Sequence, residues 1–343
     1  MAAAPLLPIS NVNFPDSRVK ICAHIEEWPL LKPFRIAGAQ WTHTRCLVVQ
    51  LAQAGALGRG EAQGVYYRGE TVETMLDQFE SVAAPLRGGI SREDLQDLLP
   101  PGGARNAIDC ALWDLECKRS GKSIWQLTGI QPHPVTTVFT LGIEATPGAM
   151  AAKAAAAKDS PVLKIKLDNH HPYEKLAAIR AARPDAQLVV DANQGWNFAD
   201  LQQLLPQCVE LGLAMIEQPL PRGSDHYLEG FDSPIMLAAD ESCLHRGELE
   251  QAARRYSMIN IKLDKTGGLT EALALAGAAR ERGCKLMVGN MAGTSLSMAP
   301  SFVVAQLCEF VDIDGPLLLR HDHPNGLVYH HGRVEHLDPG LWG

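Results

Sequence analysis

Asp191, Glu217 and Asp240 each close a short apolar run, Leu188-Val-Val, Met215-Ile and Leu237-Ala-Ala. If those runs are neighbouring strands, three carboxylates stand side by side on one rim. Hard oxygen donors in that number suit Mg²⁺, which keeps its other octahedral positions for water and substrate. One such acid alone is as well read as a cap for the next helix, or as the partner of a base. Three in register, each followed by a polar or Pro-containing turn (Asn193-Gln-Gly, Gln218-Pro219, Glu241-Ser242), favour a metal.

Lysines end two further runs, Val162-Leu-Lys164-Ile-Lys166 and Ile259-Asn-Ile-Lys-Leu-Asp-Lys265. Burying an ammonium is costly, so lysine at the end of a buried strand calls for a reason. Lys164 and Lys166 flank Ile165 and point to one face of a strand, where two ammonium groups lower each other's pKa. A lysine lowered in this way is a usable general base near neutral pH. With Lys265 across from them, the pattern reads as two bases flanking a substrate held by a metal. The plainer alternative is a buried network in which three lysines balance three acids.

These residues recur on a beat. From Lys166 through Asp191, Glu217, Asp240, Lys265 and Gly289 to Asp314 the steps are 25, 26, 23, 25, 24 and 25 residues, one strand plus one helix each. Wholly apolar runs suit strands buried on both faces, as in a parallel sheet. The segments between them read as helices: Pro172 opens one that ends before Pro184, and Thr270 to Arg282 is followed by Gly283. Repeated β-α units with a polar residue at each strand's carboxyl end describe a β/α barrel with its active site on that face. An open doubly wound sheet is the rival, and functional residues at every strand end favour the barrel.

A chain of 343 residues exceeds one ordinary barrel by about ninety, so a second, smaller domain is expected. With 31 Lys and Arg against 39 Asp and Glu, a net charge of -8 and no basic run, a nucleic-acid partner is not expected. Eight cysteines without C-x-x-C spacing read as reduced core residues. Absence of a signal-like start or a long apolar run points to a cytoplasmic protein with no membrane partner.

Residues 1 to 17 read as a loose extension. Alternation from Val19 and again from Thr44 predicts two antiparallel strands joined by a loop over 33 to 44, with a third strand near Gly58. Helices are expected over Thr71 to Ala83, over Ser91 to Leu98 with Ser91 and Asp94 as a cap, and over Ala104 to Ser120. Val135 to Leu141 would be the first barrel strand and Thr146-Pro147 the start of the first barrel helix. The expected division is an α+β capping domain over 1–132, the barrel over 133–315, and a tail over 316–343 that packs back onto the first domain.

Lys164-x-Lys166, Asp191-Ala-Asn193, Glu217-Gln-Pro219, Asp240-Glu-Ser242 and Lys265-Thr-Gly-Gly268, in that order, resemble the muconate lactonizing enzyme subgroup of the enolase superfamily. Ala104 to Leu115 resembles that family's capping-domain helix, and Asp312-Ile-Asp314-Gly-Pro resembles the Asp-x-Asp signature of its dipeptide epimerases, the L-Ala-D/L-Glu type. The resemblance implies a modified (β/α)7β barrel with an α+β capping domain. It also implies an isomerase that inverts the α-carbon of a dipeptide's second residue, through an enolate stabilised by Mg²⁺. Lys166 and Lys265 would exchange the proton, Lys164 would tune Lys166, and Asp191, Glu217 and Asp240 would hold the metal. Asp312 and Asp314 would bind the substrate ammonium, with Asn193, Asn290 and Met291 as further substrate contacts. Trp41 falls where relatives acting on glutamate place an Arg, so an apolar or aromatic second residue is expected beside the Ala-Glu default. A homo-oligomer is expected. The alternatives are a cycloisomerase or o-succinylbenzoate synthase, which need one proton-carrying lysine and no ammonium site, and a non-catalytic ligand-binding barrel.

Overall fold

The computed structural model describes residues 18–36 and 39–343; the expected amino-terminal extension lies outside the described residues. Strands β1 (Lys20–Ile36), β2 (Ala39–Gln53) and β3 (Ala56–Ala62) form an antiparallel sheet in that order. The described part of the stretch expected as a loop over 33 to 44 is hairpin instead, with Phe34 opposite Trp41 after a register shift past Pro29. Phe34 and Trp41 pack on the apolar cluster of Trp28, Leu30, Cys46 and Leu319, which keeps this end of the hairpin folded.

Five helices follow: α1 (Val72–Ser81), α2 (Ala83–Gly88), α3 (Arg92–Leu98), α4 (Gly103–Ser120) and α5 (Ile124–Thr128). The helix expected over Thr71 to Ala83 stops at Ser81, because Pro85 has no N–H to continue the ladder and instead sits in the first turn of α2. Ser91 and Asp94 cap α3 reciprocally, as read from the sequence. Gly58 and Gly60 lie directly on the α4 backbone, where a Cβ would collide with the carbonyls of Ala111 and Ala107.

The run Val135 to Leu141 splits. β4 (Val135–Thr136) belongs to a small peripheral sheet, and only β5 (Phe139–Leu141) enters the barrel. The ring continues through α6 (Pro147–Ala156), β6 (Val162–Lys166), α7 (Pro172–Ala182), β7 (Gln187–Asp191), α8 (Phe198–Glu210), β8 (Leu213–Glu217) and β9 (Met236–Ala239). It then runs through α9 (Leu249–Ala253), β10 (Met258–Lys262), α10 (Leu263–Thr266), α11 (Leu269–Glu281), β11 (Lys285–Gly289), α12 (Ser295–Ala305) and β12 (Phe310–Val311). The crossover from β8 to β9 carries a 3₁₀ turn, Asp225–Leu228.

These eight parallel strands pair in chain order, and Val138 N–H donates to the Val311 carbonyl at 2.8 Å, joining the first strand to the last. Val138, Val189, Met215, Ala238, Met258, Met287 and Phe310, drawn from around the ring, fill its centre. The interior is thus a packed plug with one open rim. After β12 the chain returns to the capping domain, where Leu319 bridges Leu30 and Trp342 Nε1 donates to Cys110 O at 3.0 Å, while β13 (Tyr329–His330) and β14 (Arg333–Val334) pair with β4 in the small peripheral sheet. Among the described residues no helix is long and apolar enough to cross a membrane.

Candidate active site

Parallel strands in one ring all end on the same rim, so register decides which side chains meet there. Lys166 on β6 pairs with Asp191 on β7, and Asp191 with Glu217 on β8; Asp240 follows the end of β9. Above them lies a cavity of about 290 Å³ between the rim and the capping domain. Lys164, Lys166, Asn193, Asp240, Glu241 and Lys262 line its floor, with Asn290, Met291, Asp312 and Asp314 on one side. Trp41, Tyr66 and Arg45 come from the capping domain.

The charges interlock. Lys164 Nζ lies 2.7 Å from Glu217 Oε2, 2.7 Å from Asp312 Oδ2 and 3.2 Å from Asp191 Oδ2. Lys166 Nζ lies 2.5 Å from Asp191 Oδ2 and donates to Asn193 Oδ1 at 3.1 Å. Burial alone would lower the Lys164 pKa, yet Asp312, Glu217 and Asp191 together hold it well above the usual lysine range. The mutual lowering expected for Lys164 and Lys166 therefore does not appear at Lys164, because three carboxylates outweigh one neighbouring ammonium.

Asp191 is itself held down to about 2, its burial being outweighed by Lys166 and Lys164. Burial and the adjacent Asp191 push Glu217 up to about 6. Burial and Asp240 push Glu241 up to about 8. Asp314 rises to about 7 through burial and Asp312; its Oδ2 accepts from Thr140 N at 2.6 Å. Asn290 Nδ2 holds Asp312 Oδ1 at 2.9 Å.

Lys265 is the sequence reading that the structure corrects. It does not end a strand. β10 ends at Lys262, and Lys265 lies in the helical turn α10 with its side chain fully buried. Lys262, three residues earlier, lines the cavity and binds Asp240 Oδ2 at 2.6 Å. The signal was in the sequence: in Ile259-Asn-Ile-Lys, alternation sends Asn260 and Lys262 to one face, and Asn260 Nδ2 indeed reaches Glu217 Oε1 at 2.7 Å. Gln218, read from the sequence only as part of a turn, has a further role. Its Oε1 accepts from the backbone of Asp240 and Ser242 at 2.9 and 3.1 Å, a role set by tertiary contact alone. The Thr266-Gly-Gly that follows serves docking: Gly267 and Gly268 have φ of 76° and 116°, and Arg105 and Asp109 of α4 bond Thr266 O at 2.6 Å and Thr270 N at 2.9 Å.

The donor set fits a hard divalent cation. Asp191, Glu217 and Asp240 are fully buried carboxylates, and two of their oxygens have no hydrogen-bond partner. These are Glu217 Oε2 and Asp240 Oδ1, which lie in ion-pair range of Lys164 and Lys265 respectively but out of line for a hydrogen bond. Orphaned carboxylate oxygens at the foot of a polar cavity are what an octahedral oxygen-seeking ion would use.

The Enolase C-terminal domain-like family matches residues 149–341, and the Mandelate racemase / muconate lactonizing enzyme N-terminal domain matches residues 18–129. The L-Ala-D/L-Glu epimerase of Escherichia coli K12 is 44% identical over 312 residues, 90% of this chain and 97% of that protein. A crystal structure of an enolase family member from Agrobacterium tumefaciens with homology to dipeptide epimerases, with bound sodium and L-Ala-L-Glu, superposes with a TM-score of 0.92 at 41% identity, covering 95% of this chain and all (100%) of that one. The dipeptide epimerase of Methylococcus capsulatus, complexed with Mg and L-Arg-D-Lys, gives 0.87 at 30% identity over 95% of this chain and 99% of that one. The chain therefore belongs to the mandelate racemase/muconate lactonizing enzyme family of the enolase superfamily, in the branch whose members are epimerases and racemases of amino-acid derivatives.

Proposed function

We propose that the chain is a Mg²⁺-dependent dipeptide epimerase that inverts the α-carbon of the C-terminal residue by a two-lysine proton transfer. One observation carries the reading: Lys166 and Lys262 end β6 and β10, four strands apart in a ring of eight, and line one cavity. The strands between them bear Asp191, Glu217 and Asp240. Mg²⁺ held by those three carboxylates would supply the positive charge that makes an α-proton beside a carboxylate acidic enough to leave. Lys166 and Lys262 then serve opposite faces of the α-carbon: one accepts the proton as a free amine, the other delivers one from the far side, and the centre inverts. Lys164 balances the carboxylates beside Lys166.

Asp312 and Asp314 receive the substrate's free ammonium, and its positive charge keeps Asp314 ionised where burial would protonate it. Such a pair has no use in a cycloisomerase or o-succinylbenzoate synthase. The substrate is an Ala-X dipeptide, with Ala-Glu, the substrate in the Escherichia coli relative's name, as reference. Trp41 and Tyr66 meet edge to face at 5.3 Å on the capping side, whereas Arg45 is paired with Glu73 at 2.7 Å. Arg35 and Arg68 are exposed and do not line the cavity. Broad ring faces and a neutralised guanidinium favour an apolar or aromatic X.

Incubation with a dipeptide library in deuterium oxide, read by mass spectrometry, tests the activity: gain of one deuteron with formation of the epimer is expected. Absence of exchange with every dipeptide would leave a binding barrel. Preference for Ala-Glu over Ala-Phe and Ala-Leu by tenfold or more, about 1.4 kcal/mol, would reject the apolar pocket.

A further inference from the structure

The Lys265 side chain is fully buried, and its partners give it a purpose other than proton transfer. Its Nζ donates to the carbonyls of Asp240 at 2.7 Å, Asn260 at 2.8 Å and Cys243 at 3.1 Å. Three donors thus meet three acceptors, and the ammonium has no hydrogen left for a substrate. Asp240 Oδ1 also lies 2.8 Å from it. The location matters: β9 and β10 pair only at Met258 with Ala238 and Ile259 with Ala239, so the ladder between them ends just before Asp240 and Asn260.

We infer that Lys265 is a positioning residue: its ammonium replaces the missing ladder between β9 and β10 and fixes the side chain of Asp240 for the cation. The two lysines hold one carboxylate from both ends, Lys262 at Oδ2 from inside the cavity and Lys265 at Oδ1 from behind. Buried without other compensation, an ammonium there would be strongly destabilising; bound to three carbonyls and a carboxylate it is satisfied. Its spacing from Lys262 follows from the same demand, since a strand end followed by one helical turn swings the second side chain behind the sheet. This inference rests on the metal role given to Asp240 above.

The test compares Mn²⁺ binding to the intact protein and to Lys265→Met and Lys265→Gln, by titration calorimetry and by the Mn²⁺ electron paramagnetic resonance signal, with a thermal melt of each. Expected is a 10- to 100-fold weaker Mn²⁺ affinity in folded variants, the usual size for loss of a group that orients a ligand. The metal concentration needed for half-maximal α-proton exchange should rise by the same factor, with a smaller change in kcat. A lower melting temperature with unchanged Mn²⁺ affinity would overturn the inference and leave a structural role only. Should neither variant fold, Lys265→Arg, which keeps the charge but not the reach to three carbonyls, is measured in the same way: weaker Mn²⁺ binding supports the inference, and unchanged Mn²⁺ affinity overturns it. Mn²⁺ binding is read independently of turnover, so a protein that binds the ion yet exchanges no α-proton fails the epimerase reading alone.

Discussion

Two pairs of lysines face each other across the barrel and are built differently. Lys164 and Lys166 are two apart within β6 and both line the cavity. Lys262 and Lys265 are three apart: one ends β10, the other lies in α10 and faces away from the cavity. Within a strand, alternation keeps i and i+2 on one face. Past its end the backbone turns helical, and i+3 goes wherever that turn points it. The first pair therefore puts two cations over the carboxylates, while the second puts one in the cavity and one behind the wall.

The sharpest way to break this contrast is by activity. On the proposed mechanism Lys166→Ala and Lys262→Ala should each lower epimerisation by about 10³-fold or more, while each variant still exchanges the α-proton of one epimer in deuterium oxide. Normal epimerisation by Lys262→Ala would return the catalytic role to another group and sink the assignment. Next in size is the carboxylate between the pairs: Glu217→Gln keeps shape but removes charge, and Mg²⁺ affinity measured by calorimetry should fall by about 10²-fold. Unaltered Mg²⁺ dependence would remove Glu217 from the ligand set.

A smaller effect is expected at the ammonium site. Asp314→Asn should raise KM about tenfold for a dipeptide with a free amino group, roughly 1.4 kcal/mol. It should do much less for the N-acetylated dipeptide, so equal effects on both would show that Asp314 does not read the ammonium. The smallest concerns stability of the metal-free protein. Glu217 has a folded pKa raised to about 6 from its usual 4.5, so the native state holds a proton that the unfolded chain releases first. Its contribution is fully present below pH 4.5 and is lost as pH rises through 6, on the order of 2 kcal/mol. Melting curves should show this decline, Glu217→Gln should flatten it, and saturating Mg²⁺ should oppose it; a decline that persists in Glu217→Gln assigns it elsewhere.

Much of this was legible in the chain. Apolar runs ending in Asp191, Glu217 and Asp240, short and evenly spaced, read as strands buried on both faces, and β7, β8 and β9 lie there. Ser91 with Asp94 and Thr146 with Pro147 marked helix starts by chemistry that operates within four residues. The misplacement of Lys265 has one origin. The beat of about 25 residues chose Lys265, although crossover lengths are free to vary: from Asp240 to Lys262 is 22 residues and from Lys262 to Gly289 is 27. A short helix, α9, precedes β10 and an extra turn, α10, follows it, so the average was kept while the strand end moved. Local alternation across Asn260 and Lys262 was the better guide, being fixed by the backbone itself.

The sequence by itself determined the class of fold, the three carboxylates and the lysine pair of β6, since each depends on periodicity and on the cost of burying charge, both local properties. Only the tertiary structure decided that Lys265 turns behind the wall onto three backbone carbonyls, that Gln218 accepts from the backbone N–H of Asp240 while Asn260 reaches the Glu217 carboxylate, and that residues from β2 and the segment after β3 line the cavity together with Lys166. Those contacts join residues far apart in the chain. Whether a side chain meets a cavity or a carbonyl there depends on how two strands diverge and where a helix turns, which no spacing along the chain encodes.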